Sequence, residues 1–349
     1  PLHGWCALSP LASCLWPRRS LLPPASRLLP GRSHPPLVYK FVSTNSILVL
    51  EQCLNGLQFG LMLFLLAAGL TLVFGIMDMI NLAHGSLYMI GAYLAATLVP
   101  VTGSFWLGVA LAAGGTAVIG MLLEISVLRT LYQRDHLSQV LATFALLLIA
   151  NELVRIIFGD QALLLNAPDS LSGPVELLPG FTYPSYRLVI IAVGLVVALA
   201  LYALVAHTRT GMLVRAGASN REMALAMGVN VKRLFTAVFG VGAALCALAG
   251  AMLGPLLAVQ VGMGESILIL AFVVIVIGGI GSIRGALLGA LLVGIVDTAG
   301  RTLLPMSLRA IMPPAIASNL GPALASILIY VLMVAVLFWR PQGLFPARG

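Results

Sequence analysis

The residues able to do chemistry are few in this chain, and they stand apart. Five histidines (His3, His34, His84, His136, His207) and four cysteines (Cys6, Cys14, Cys53, Cys246) share no metal-ligand spacing and give no readable disulfide framework. Lys40 and Lys232 are the only lysines and neither follows a glycine, so a phosphate-cradling G-x-x-x-x-G-K-[ST] loop cannot be built. H-E-x-x-H and G-x-S-x-G are missing as well. The reading is therefore of a chain with no catalytic residue, no metal site and no cofactor of its own. Any driving energy comes from an ion gradient or from another subunit. Three polar groupings remain. Asp78, Asn81 and His84 are spaced i, i+3, i+6 between Gly75 and Gly85. Arg221-Glu222 opens a short Ala/Met/Leu stretch closed by Gly228. Gly278, Gly279, Gly281 and Gly285 surround Arg284.

The elements that position these groups follow from composition. The 349 residues are 60% hydrophobic and 9% charged, against roughly 25% charged in a soluble domain. Mean hydropathy is +1.06. A soluble protein of this size cannot hide that much apolar surface, which excludes a cytosolic enzyme and a disordered chain. No Asp, Glu, Lys or Arg falls in 52–77, 79–123, 188–208, 234–264, 266–283 or 310–339. A helix needs about 20 apolar residues to cross the hydrocarbon. The apolar runs are continuous rather than alternating, so they are helices and not barrel strands. The expected fold is all-α, a polytopic transmembrane bundle of eight to ten helices with one or more broken helices. Spans are predicted near 50–75, 79–99, 104–128, 137–158, 187–207, 233–254, 265–281, 285–304 and 321–339. G-x-x-x-G spacings at Gly56/Gly60, Gly250/Gly254 and Gly281/Gly285/Gly289 fit close helix approach.

Residues 1–45 are different material, with eight of the 20 prolines, five basic residues and no acid in the first 40. They are read as a disordered or non-native extension, with a transit peptide as the alternative, and the transmembrane body as 46–349. The net charge of +8 reflects basic residues at helix ends, not nucleic-acid binding. The 208–233 loop carries Arg209, Arg215, Arg221, Lys232 and Arg233 against Glu222, so it is predicted cytoplasmic; 159–186, with Asp160, Asp169 and Glu176, is predicted external. Counting back puts the amino terminus outside, in conflict with the basic tail.

Within the cytoplasmic loop, Asn220 is placed to cap a short helix from Arg221, and Gly228 to end it in the left-handed region. An interfacial loop helix and a docking helix for a soluble partner are both open on these residues. For Asp78, Asn81 and His84, a route or gate built on a half-helix stands beside a short interfacial turn. The pairs Glu152/Arg155 and Asp297/Arg301 neutralise locally near outer helix ends. Arg284 reads as an inner-end anchor and Glu265 as the outer start of a helix.

The pattern Glu222, Ala224, Gly228 resembles the cytoplasmic EAA-type loop of ABC importer permeases, with Met223 in place of the usual second alanine. Residues 54–94, above all Gly75 to Gly85 (GIMDMINLAHG), resemble the LivH-type permeases of branched-chain amino acid ABC importers. VIGGIGSIRGALLGALLVG at 276–294 and WRPQGLF at 339–345 extend the resemblance to about 50–345. It implies a bacterial inner-membrane permease subunit paired with a LivM-like second permease and two LivG/LivF-like ATPase subunits. ATP and Mg would be used by those subunits, which would grip Arg221, Glu222, Ala224 and Gly228. An external binding protein would deliver Leu, Ile or Val. Related permeases carry urea or short amides. A self-sufficient secondary carrier would need charges at mid-depth, and a membrane-embedded enzyme would need convergent catalytic groups; both are scarce here.

Overall fold

A computed structural model describes residues 37–77, 79–219 and 221–345. The chain forms two units, Pro1–Ser43 and Thr44–Gly349; of the first, only the helical residues 37–43 are described.

The helices in chain order are α1 (Leu37–Met77), α2 (His84–Thr102), α3 (Phe105–Leu123), the single turn α4 (Arg129–Leu131), α5 (His136–Phe158), α6 (Ser185–His207), α7 (Arg209–Ser219), α8 (Arg221–Ala226), α9 (Val231–Leu253), α10 (Met263–Gly278), α11 (Ile283–Leu308) and α12 (Pro314–Trp339). Among the described residues, eight helical stretches are long and apolar enough to cross a membrane, and α10 is a shorter apolar helix. The chain is thus a multi-pass helical bundle, as its composition requires.

Consecutive spans alternate between two ends. One end gathers Arg129, Arg134, Arg209, Arg215, Lys232, Arg233, Arg284 and Arg340, and we call it the basic end. The opposite end holds a feature that the continuous apolar runs did not announce. Pro174–Leu178 (β1) and Phe181–Pro184 (β2) form an antiparallel hairpin, turned by Gly180 at φ 84°. Leu163, in the segment between α5 and the hairpin, pairs with Val259 of the segment before α10. Tyr183 Oη and Arg187 both donate to Asn55 Oδ1 of α1.

Several helix boundaries depart from the expected ones: α1 begins at 37 rather than 50 and α12 at 314 rather than 321, and two others change the course of the backbone. The span expected from 79 begins at His84 instead, because 79–83 is a non-helical climb from the foot of α1. The span expected to run to 128 as plain α-helix passes at Glu124–Leu128 into a π-turn, then into α4. Among the four glycines expected to break a helix, the break is Gly279–Ser282, with φ 104° at Gly279 and 80° at Gly281. Gly278 and Gly285 lie inside α10 and α11, where their backbones touch. A Cβ on Gly285 would lie 2.0 Å from the Gly278 carbonyl oxygen. The carboxy-terminal segment closes this turn: Leu344 N–H donates to the Ile277 carbonyl and Phe345 N–H to that of Gly278, each at 2.9 Å. These are carbonyls that a helix end leaves without partners.

Candidate functional site

Three helices meet around the start of α2. Gly69 of α1 faces Gly242 of α9 so closely that a Cβ on Gly69 would lie 2.8 Å from the Gly242 carbonyl oxygen and 2.9 Å from His84 Nε2. Gly242 stands near the middle of α9, so α2 starts at mid-depth in the bundle. Irregular backbone at that depth is tolerable only inside protein, and Met79, Asn81 and Ala83 are buried accordingly. Asn81 Oδ1 accepts from Ala83 N–H at 3.1 Å, and Ser86 Oγ donates to the Ala83 carbonyl at 2.6 Å. Asn81 Nδ2 is buried without a hydrogen-bond partner. His84 is fully buried, its Nε2 2.9 Å from Cys246 Sγ of α9. Its Nδ1 is buried without a hydrogen-bond partner.

Of the three residues read as a route or gate, Asp78 lies outside the described residues. Asn81 is buried, and His84 is packed among helices α1, α2 and α9. Beside them, a cavity of about 490 Å³ opens between α2, α3 and α5, lined by Ala83, Ser86, Ile119, Leu146, Leu153 and other apolar side chains. Neither Asn81 nor His84 lines it. Ser86, which does, was not singled out by spacing, since one serine in an apolar run has no period to betray it. The cavity can receive an apolar group; its walls offer almost nothing to a charge.

At the basic end, α8 and α9 form a continuous knuckle. Val229 N–H donates to the Ala224 carbonyl at 3.1 Å, and Gly228, at φ 82°, reverses the chain. Asn230 Oδ1 then caps α9 by accepting from Arg233 N–H at 3.1 Å. Ala224 is buried, while Met223, Leu225 and Met227 project outward, Met227 with 78% of its surface exposed. The backbone at Arg221 and Glu222 is helical; Asn220, the expected cap, lies outside the described residues.

Spacing missed a second polar centre at this end. Glu124 follows α3 and is completely buried. It accepts from Arg129 Nη2 at 3.0 Å, Tyr132 Oη at 2.9 Å and Thr236 Oγ1 at 2.6 Å. No periodic pattern marks it; the signal in the sequence is one acid at the end of the longest charge-free run, with a base five residues on. Asp135 caps α5 by accepting from Ser138 N–H at 3.1 Å and Ser138 Oγ at 2.7 Å. The Ser138 hydroxyl and backbone N–H hold its carboxyl below the ordinary carboxylate value.

The remaining pairs sit at helix ends. Arg155 meets Glu152 at 2.9 Å and Asp160 at 3.3 Å, and Arg301 meets Asp297 at 2.7 Å. Glu265 Oε1 accepts from Asn151 Nδ2 at 2.6 Å. Arg284 donates to Tyr202 Oη at 3.0 Å, anchoring the foot of α11 to α6. Among the described residues, no group of three or more His, Cys, Asp or Glu could hold a metal ion.

The family described as "Branched-chain amino acid transport system / permease component" matches residues 52–337. The high-affinity branched-chain amino acid transport system permease protein BraD of Pseudomonas aeruginosa is 31% identical over 316 residues, 84% of this chain and 95% of that protein. The permease protein LivH of Escherichia coli K12 is 29% identical, covering 86% of this chain and 99% of that protein. The permease protein LivM of the same organism is 26% identical over 81% of this chain and 67% of that protein. No solved structure matches.

Proposed function

The chain belongs to the family of branched-chain amino acid transport permease components, and from that premise we propose that it is one permease subunit of an ATP-driven importer. It sits in the bacterial inner membrane and moves Leu, Ile or Val inward. Its family's members are transport components, not catalysts, so hydrolysis belongs to partner chains that use ATP and Mg. The partners are a LivM-like second permease, two LivG/LivF-like ATPases and an external binding protein. The basic end faces the cytoplasm, following the excess of Arg and Lys there.

The observation that carries this reading is α8. It is a short helix at the basic end with Met223 and Leu225 turned outward, Ala224 turned in and Met227 exposed just after its last residue. Exposed methionine and leucine on one small helix fit a groove on a soluble protein. Arg221, Glu222, Ala224 and Gly228 form the stretch that ATPase subunits grip, and the mid-depth break at Asn81 and His84 adjoins the route. An apolar cavity beside that break suits an aliphatic side chain.

The test is to place Leu225→Asp and Met227→Asp together. Both side chains are exposed, so the permease should reach the membrane in normal amount. ATP-driven leucine uptake should fall about tenfold or more, as expected when a central contact of an interface is lost, and the ATPases should no longer copurify. Uptake at the wild-type rate with normal abundance refutes the reading. Competition by isoleucine and valine but not urea fixes the solute class.

A further inference from the structure

We infer that the Thr236 hydroxyl and the Glu124 carboxylate form the joint through which movement of α8 is passed to α3. The inference rests on the proposed role of α8 as the docking helix. Thr236 lies in the second turn of α9, directly after the knuckle. From α8 to this point the backbone is continuously tied, by Val229 N–H to the Ala224 carbonyl, by Asn230 Oδ1 to Arg233 N–H and by the Asn230 carbonyl to Leu234 N–H. A displacement of α8 therefore reaches α9 without slack.

At Thr236 the rod is coupled sideways. Its hydroxyl donates to Glu124 Oε2 at 2.6 Å and accepts from Arg129 Nη2 at 2.9 Å. Arg129 in turn meets Glu124 at 3.0 Å, which closes a ring of three groups from two segments of chain. Without Glu124 the hydroxyl would fold back on the Lys232 carbonyl, 3.1 Å away. Tyr132 donates to Glu124 at 2.9 Å, and its ring meets that of Phe235 at 5.5 Å, edge to face.

Glu124 is an expensive choice for mere packing. Taking a carboxylate wholly out of water is costly, and apolar side chains of similar volume would hold two helices together as well or better. It also opens the π-turn Glu124–Leu128, an irregularity found at functional places more than in structural ones. What the ring adds is a fixed register between α9 and α3. Both helices lead inward to the proposed route: α9 carries Gly242 and Cys246 against His84, and Ile119 of α3 lines the cavity beside Ala83. Glu124 and Thr236 are thus positioning residues and touch no substrate.

The experiment uses the complete transporter in proteoliposomes, with the second permease, both ATPases and the binding protein. Leucine moved per ATP hydrolysed is compared for wild type, Thr236→Val and Thr236→Ser. Valine keeps the shape and leaves Glu124 paired with Arg129 and Tyr132, so the complex should assemble in full. Expected is a drop in leucine per ATP of about fivefold or more, the lower end of site-to-site couplings, with hydrolysis continuing, and recovery in Thr236→Ser. The inference is overturned if Thr236→Val keeps the wild-type ratio. It is overturned equally if serine fails to restore it, or if only the amount of complex falls while the ratio holds. Leu225→Asp/Met227→Asp serves as the reference. If that variant also transports normally, or if the wild-type complex does not couple leucine to ATP, the functional reading itself falls and the joint falls with it. If the reference variant is dead and Thr236→Val is normal, the joint alone is wrong.

Discussion

Helices α9 and α5 are each 23 residues long and equally apolar, yet 72% of the spanning window of α9 is buried inside the protein against 17% for α5. Apolarity does not separate them, because lipid tails are as apolar as a protein core and provide no hydrophobic drive for helix association. Small residues separate them. α9 carries Gly240, Gly242 and Gly250, and α2 and α1 come up against it at Gly91 and Gly69. α5 has no glycine and turns Leu141, Leu148 and Ile156 outward. One helix is held by close backbone approach; the other buries only a narrow face, at Gln139, Thr143, Leu147 and Val154.

The contrast can be broken most severely at Gly250. A Cβ there would lie 2.3 Å from the Tyr88 carbonyl oxygen, and its nearest neighbours are all backbone atoms of α2, with nothing flexible to yield. Gly250→Leu should destabilise by about 3 kcal/mol, the upper part of the overpacking range, seen as a lowered melting temperature in detergent and reduced membrane abundance. An unchanged melting temperature would show the α2–α9 crossing to be looser than drawn. A smaller effect is expected at the cap of α5. Because hydrogen bonds lower the Asp135 pKa below 3.8, its contribution is complete above that value and is lost as pH falls through the folded-state pKa. Asp135→Ala should lower the melting temperature modestly at neutral pH, and the difference from wild type should shrink on acidification through that window. A difference that stays constant from neutral pH to well below 3.8 would detach the cap from the stability of α5. The smallest effect belongs to the lipid face: Leu148→Phe should change stability by less than about 0.5 kcal/mol, and a large loss there would mean that α5 is covered by another chain.

The apolar runs made the bundle legible, because a helix in lipid must satisfy its own backbone and so writes its length into the sequence. The reversal at Gly279–Ser282 and the turn at Gly228 were legible too, since positive φ calls for glycine. The depth of the break before α2 was not. Residues 79–83 are as apolar as a helix, and only the packing of His84 against Gly69 and Gly242 places them inside the bundle. Glu124 was hidden for a related reason. A single acid at a helix end reads as solvated, and its donors Tyr132 and Thr236 come from a later turn and a distant helix. The hairpin at 174–184 was hidden by its brevity.

The carbonyls of Ile277 and Gly278 are met by amides of Leu344 and Phe345, which the ribosome adds only after two further membrane crossings have been made. During biosynthesis the foot of α10 must wait, its oxygens bonded to water or to translocation machinery, until that late strand arrives to seal it.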